Sequence, residues 1–430
     1  MSFSQGLSGL NASSQALDVV GNNIANAQTV GFKAGTITFA DVYAGSQTGM
    51  GVQVSGVTQN FNDGVLSEGN SELDMGIKGK GFFRLENMAG HVFYSRNGQF
   101  KTDENGLIIN HQGMYLTGYQ SSGIPPTITH GSSISRIKIP SDPMPGRASD
   151  AIRLGGNLDS RAEVIDSQKY PFSFDTTSHS FSSTSQINAY DSLGNLHVVN
   201  VYYVKTAPGI WQVYARDSTA PLAEGAPMPS TASGVASTPK QDASQATGAR
   251  AGFARLIFDH SGQLTNNSAK EIMVEGASYK GAQPLKFRLD LTEMKQQALD
   301  TSIESATTSG HAPGLMNGYS VDDNGAVIAT YSNGQQQTVG QITLSHFTNP
   351  GGLSSQGNNC WSETPSSGRP VNGLSGTGNL GKLYGHRLEA SNVDMSAEMV
   401  RMIVFQRNYQ SNSQTIRAQS ELLQTLVNIG

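Results

Sequence analysis

One cysteine, Cys360, stands alone in a chain of 430 residues. That excludes an intrachain disulfide framework and a multi-cysteine metal site. Charge is scarce as well: Asp, Glu, Lys and Arg make up 14% of the residues, against about 25% in an ordinary soluble domain. The surface must therefore be carried by Ser, Thr, Asn, Gln and Gly. A net charge of −5 offers no basic face for a nucleic acid. No run approaches the ~18–20 apolar residues that a membrane-spanning helix needs. Lys33 is the first basic residue, so the N-terminus has neither the charged start and apolar centre of a cleaved secretory signal nor the basic face of a membrane-surface helix.

Catalytic chemistry is equally hard to find. The nine histidines are scattered, with no HExxH and no pair at helical ligand spacing. Asp103-Glu104-Asn105-Gly106 and Asp322-Asp323-Asn324-Gly325 begin like calcium loops, but neither continues to the closing glutamate; polar hairpin turns explain them. Gly79-Lys80-Gly81 lacks the rest of a phosphate loop. Cys360 beside Trp361 reads as a small packed residue, with no histidine near it in sequence. No catalytic, metal-binding or cofactor-binding residue is expected, and the chain reads as a non-enzyme.

What is present is concentrated at the two ends. Met395, Met402, Tyr409, Ile416 and Leu423 recur every seven residues, with Met399, Leu426 and Val427 beside them. This is a narrow coiled-coil seam on a long helix that is otherwise polar. Asn392 and Asp394 offer a start signal, and Glu398 places negative charge in the first turn. At the N-terminus Phe3, Leu7, Leu10, Ser14, Leu17, Gly21 and Ile24 alternate steps of four and three, and Ser2 with Gln5 reads as a capping box. Gly6, Gly9 and Gly21 each cost about 1 kcal/mol against Ala, so this helix is weak alone. Either the two ends pack on one globular domain, or they pair with each other and with neighbouring copies, ordering only on assembly.

Between the ends the chain reads as β. Residues 28–71, rich in Gly, Thr and Ser, read as an irregular connector. Asn-Gly turns punctuate strands from Leu73 onward. A Pro-Met-Pro-Gly run at 143–146 marks a boundary, and the clearest hairpin joins residues 186–191 to 196–204. Residues 217–250, dominated by Ala, Ser, Thr, Pro and Gln, read as a long exposed loop. The fold class expected is mixed and mainly β, with discontinuous β domains nested between terminal helices that form a coiled-coil layer.

Asn22, Asn23, Asn26, Thr29, Gly31, Phe32 and Lys33 near one end, with Ser391, Asn392, Val393, Asp394, Gln406 and Arg407 near the other, resemble the two terminal signatures of the bacterial flagellar rod and hook proteins. The resemblance covers nearly the whole chain and is weakest over 148–308. It implies a helical tube with residues 1–27 and 389–430 lining a channel, and residues 28–71 with 370–388 connecting. A shared β domain would then be formed by 72–147 with 309–369, and an outer inserted domain by 148–308. It also implies export without a cleaved signal peptide through the flagellar type III pathway, to an extracellular place in the hook and basal body. The partners implied are further copies of itself, rod proteins, the hook cap, hook–filament junction proteins and the export apparatus. The middle domain, and the lack of the short insertion that distal-rod members carry between Tyr43 and Gly51, favour a curved hook tube acting as a universal joint. A distal rod subunit, or a secreted β-rich carbohydrate-binding or hydrolytic protein, are the alternatives.

Overall fold

The computed structural model describes residues 3–42, 49, 51–123, 126–129, 131–174, 179–219, 252–276 and 278–429. The Ser2 cap, the Tyr43–Gly51 comparison, residues 220–251 of the expected loop, and the side chains of Leu426 and Val427 lie outside what is described. Helices α1 (Phe3–Ala25) and α2 (Met395–Ile429) bracket a run of β-strands. The chain divides into two compact units. The first holds residues 1–141, 317–330 and 336–430; the second holds 142–316 and 331–335.

In the first unit, a thirteen-stranded sheet is accompanied by three two-stranded sheets that tie distant parts of the chain together. Met75–Lys78 pairs with Lys382–Gly385, and Leu66–Glu68 pairs with Arg387–Glu389, both antiparallel. Glu389, where the terminal helical domain was expected to begin, is thus the last residue of a strand, and the helix itself begins at Met395, just after the start signal at Asn392 and Asp394. The third pair corrects the reading of residues 28–71 as irregular. Gly35–Asp41 and Val52–Gln59 form an antiparallel hairpin with one register shift at Thr38/Phe39. The glycines mask an alternation in which Ile37 and Phe39, then Val52 and Val54, recur every second residue. A separate aromatic cluster of Phe82, Tyr94, Phe347 and Trp361 anchors the larger sheet.

The second unit is a sandwich of two four-stranded sheets sharing one apolar core that includes Leu154, Val199, Tyr203, Trp211, Phe287 and Leu289. In one sheet Ala151–Asp159 runs parallel to Lys286–Gln297 and antiparallel to Ser302–Thr308. The other is a meander of Ser183–Tyr190, Leu196–Ala207, Ile210–Asp217 and Gly252–Ile257. Met144 bridges to Gly314 and Arg147 to His311. The entering and leaving segments therefore pair with each other, and the unit is drawn at 142 and 316 rather than at 148 and 308.

Asp217 corrects the expected start of the exposed loop. It ends a strand, is fully buried, and its Oδ2 lies 2.8 Å from His197 Nδ1, while His197 Nε2 lies 3.3 Å from Asp191 Oδ2. Asp191 also accepts hydrogen bonds from the Leu193 and Asn195 amides and the Asn195 side chain. All three side chains of this Asp–His–Asp cluster are sealed from solvent, so it has no route to a substrate and serves the fold. The Asp217 hydrogen bond is the largest influence on His197 and holds its pKa above the ordinary 6.5 against the opposing effect of burial. For Asp191 burial acts upward, yet the Asn195, Leu193 and His197 hydrogen bonds bring its pKa below 3.8. The sign follows by linkage. The His197 contribution to stability is complete below pH 6.5 and is lost as pH rises through its raised folded value. The Asp191 contribution is present above pH 3.8 and is lost as pH falls through its lowered value. Melting followed across pH should therefore show both arms, and His197→Phe should remove the upper one. Because that change strands two buried carboxylates, it should also cost about 3–5 kcal/mol near neutrality.

Candidate assembly site

The two terminal signatures fold into one joint in the first unit. It starts at Gly31, whose φ of +70° favours glycine and whose missing Cβ would sit 2.5 Å from the Asn97 amide nitrogen. The tight turn delivers Lys33 into the interior. There its Nζ donates to Glu389 Oε1 at 2.7 Å and to the Asn62 carbonyl at 2.6 Å. Arg96 reaches Glu389 Oε2 at 3.1 Å and the Gly79 carbonyl at 2.7 Å, with Asp63 at 3.6 Å. The Gly64 amide adds a hydrogen bond to Glu389 Oε1. Burial lowers the pKa of Lys33, and the Glu389 carboxylate opposes that shift. One buried carboxylate thus holds two buried cations from strands and loops far apart in sequence.

Asparagines complete the joint. Asn23 exchanges two hydrogen bonds of 2.8 Å with the backbone of Gly35, fastening α1 to the strand that follows it. Asn392 accepts from the Ala34 amide and donates to the Asn60 and Asn62 carbonyls. Asp394 caps α2, its Oδ1 accepting from the Ser396 and Ala397 amides. Of the two start candidates, then, Asp394 caps and Asn392 staples. Thr29 Oγ1 donates to Asn26, which donates back to the Asn22 carbonyl. Ser391 Oγ accepts from the Val393 amide. Phe32 and Val393 are half-buried, whereas Asn22, Gln406 and Arg407 are exposed and stand apart from the ion cluster. Nothing in the spacing of Glu389, Asp63 and Arg96 marks them as partners in the sequence, although Glu389 heads the C-terminal signature.

Above the joint the helices lie side by side in opposite directions: Gly6 faces Ile416 and Gly9 faces Asn412. Of the pairings expected for the two ends, with each other and with neighbouring copies, the first is seen here: both are helical and packed together within one chain. The reason is a second seam on α1, one residue out of step with the large apolar stripe. Gly6, Ser13, Ala16, Val20 and Asn23 are buried along it, and Gly9 is half-buried. These small side chains let α2 approach closely. On α2 the half-turn partners of the seven-residue repeat, Glu398, Phe405, Asn412 and Gln419, are buried or half-buried, and Phe405 meets Phe39 of the hairpin edge-to-face.

The stripes expected to pair are left largely outside this contact. Phe3 and Leu7 are 49% and 45% exposed, and Met395, Tyr409 and Leu423 are 38%, 38% and 57% exposed. Leu10, Leu17, Ile24, Met402 and Ile416 are half-buried. Met399, Val400, Ile403 and Val404 add a further exposed apolar face to α2. Isolated apolar residues on a surface are ordinary, but contiguous faces of this length mark an interaction surface. Cys360 is buried, and burial pushes its pKa up to about 11, which keeps it a thiol. Among the described residues no group of three or more His, Cys, Asp or Glu could hold a metal ion, and no helix is long and apolar enough to cross a membrane.

Four family profiles match the chain in order. They are described as the flagella basal body rod protein over 5–33 and the flagellar hook protein FlgE/F/G D1 domain over 76–151. The other two are the flagellar basal body protein FlaE D2 domain over 157–311 and the basal body rod FlgEFG protein C-terminal region over 385–429. Helical ends joined over a nested β body therefore define a structural protein of the bacterial flagellar axis. The flagellar hook proteins FlgE of Salmonella typhimurium and Escherichia coli K12 are each 44% identical to the chain over the full length of both. That of Rhizobium meliloti is 30% identical over 99% of this chain and 97% of its own. The chain belongs to the flagellar hook protein family. The crystal structure of the Helicobacter pylori hook protein FlgE2 aligns with a TM-score of 0.52 at 15% identity, covering 75% of this chain and all of that one, which supports the fold.

Three outcomes follow from the joint and the helix pair. Glu389→Ala leaves Lys33 and Arg96 buried without their carboxylate and should cost about 3–5 kcal/mol in denaturant unfolding of the first unit. Gly9→Val drives a branched side chain into Asn412 and should loosen the helix pair, read as faster amide exchange in α1. Gly21 has no neighbour within 4 Å, so Gly21→Ala should stabilise α1 in the single chain by about 1 kcal/mol.

Proposed function

We propose that this chain is the structural subunit of the flagellar hook, polymerising into a short curved tube that links rod to filament and transmits torque while it bends. The observation that carries the reading is the pair of apolar stripes, Phe3 and Leu7 on α1 and Met395, Tyr409 and Leu423 on α2, standing exposed on helices already paired through another face. A second copy can bury those stripes without disturbing the first contact. Half-buried Leu10, Leu17, Ile24 and Met402 extend the same surface, while Ile416 already packs against Gly6. Around this layer lies the β body of the first unit, with residues 28–71 and 370–388 connecting it to the helices. The polar, weakly charged remainder of α2 suits a channel wall, since it gives passing chains little to adhere to. The further partners are rod proteins, the hook cap, the junction proteins at the filament and the flagellar export apparatus. The site of action is the extracellular hook and basal body, reached by the flagellar type III pathway.

Electron microscopy of purified protein tests this: assembly should yield curved tubes. Leu7→Asp combined with Leu423→Asp puts a charge into each buried stripe contact and should abolish tubes, while the β units melt as before. A wild-type protein that stays monomeric under assembly conditions, or tubes indifferent to both charges, would defeat the reading.

A further inference from the structure

A cleft of about 710 Å³ opens beside the joint and shares Arg96 and Asp63 with its ion cluster. Phe61, Phe82 and Phe347 wall it; Lys80, Arg96 and His346 bring basic groups to it. The rings pack edge-to-face, Phe61 on Phe82 at 5.4 Å and Phe82 on Phe347 at 5.9 Å, so the wall is firm and apolar. One observation points to an anionic occupant, since the guanidinium of Arg96 is already taken by Glu389 and the Gly79 carbonyl. Lys80 is exposed and pairs with no carboxylate among the described residues. Asp63 also lines the cleft, but its carboxylate is engaged by the Gly79 amide at 2.7 Å and faces Arg96. Behind it Lys33 and Glu389 offset each other. Burial, and then Lys80, lower the pKa of His346, so at neutral pH the ring is a neutral partner and the ammonium dominates.

We propose that this cleft seats an acidic hairpin tip from a second copy of this chain, its carboxylate meeting Lys80 against the phenylalanine wall. The proposal rests on the reading of the chain as a polymerising subunit. The complementarity lies in the chain itself. Acids outnumber bases 33 to 28, and Glu104 and Asp323 stand exposed at the turns 103–106 and 322–325 with no ion pair among the described residues. A low-dielectric wall strengthens such a contact relative to one in open water, and in a tube each copy meets its neighbour at high effective concentration.

The experiment uses assembled full-length protein carrying Lys80→p-benzoylphenylalanine. Photolysis should yield dimers whose cross-linked peptide contains residues 103–106 or 322–325 of the second copy. Cross-links that stay within one chain, or that reach a segment without an acid, overturn the proposal. In parallel, Lys80→Glu should raise the critical concentration for assembly about tenfold, equivalent to ~1.4 kcal/mol, with Lys80→Arg close to wild type. Since Lys80 is exposed, monomer melting reports whether either variant folds. If Lys80→Glu folds and assembles like wild type, the cleft is no interface and the hook reading stands; if wild type forms no tubes, the reading itself falls and takes the cleft with it.

Discussion

Everything in the first unit converges on the Glu389 carboxylate. It is fully buried and takes Lys33 from the end of the N-terminal signature, Arg96 from the β body, and the Gly64 amide from the connector. Buried ion pairs are weak evidence of stability, because desolvation cancels much of the attraction. Their strength is geometric: a lone buried charge is so unfavourable that few arrangements of the backbone are tolerated around it. With the Asn23 and Asn392 staples, the cluster specifies how α1, the hairpin and α2 leave the β body. A subunit that hands force from its helical ends to its β domains needs a stiff connection there, and the sequence supplies charge where the rest of the chain is short of it.

The helix pair shows the complementary solution. Large apolar residues would make a stronger two-helix contact, yet the chain places Gly6, Gly9, Ser13 and Ala16 at the interface and leaves Phe3, Leu7 and Leu423 outside it. Small side chains bury little area, so the intramolecular contact is weak by the usual measure of transfer free energy. That weakness leaves the larger hydrophobic term available for contacts between copies, and couples full stability of the ends to assembly. The glycines that weaken α1 in isolation are what allow α2 to approach.

How much of this was legible in the sequence depends on the range of the interaction. Periodicity exposed both helices and the hairpin of Ser183–Tyr190 with Leu196–Ala207, because those signals are local, whereas the nested order of the β segments was implied by the family resemblance. The family motif pointed to the correct neighbourhood at Asn23, Gly31, Lys33, Asn392 and Asp394. It did not point to Glu389, Arg96 and Asp63 as partners, which meet across hundreds of residues and carry no spacing rule. Periodicity also chose the wrong face of α1 for the intramolecular contact: hydrophobicity ranks Leu7 above Gly6, while close packing ranks them the other way. Asp217 was misread for a related reason, since composition averaged over 217–250 hid one residue that belongs to the preceding strand and pairs with His197.

The two units bury charge in different ways, and the difference bears on what each has to withstand. At the joint of the first unit the buried ions are Lys33, Arg96 and Glu389, two cations on one carboxylate. In the second a histidine sits between two aspartates, and its charge is held by those partners alone. The sandwich tolerates a titrating centre because eight strands and a continuous apolar core hold it independently of that one cluster.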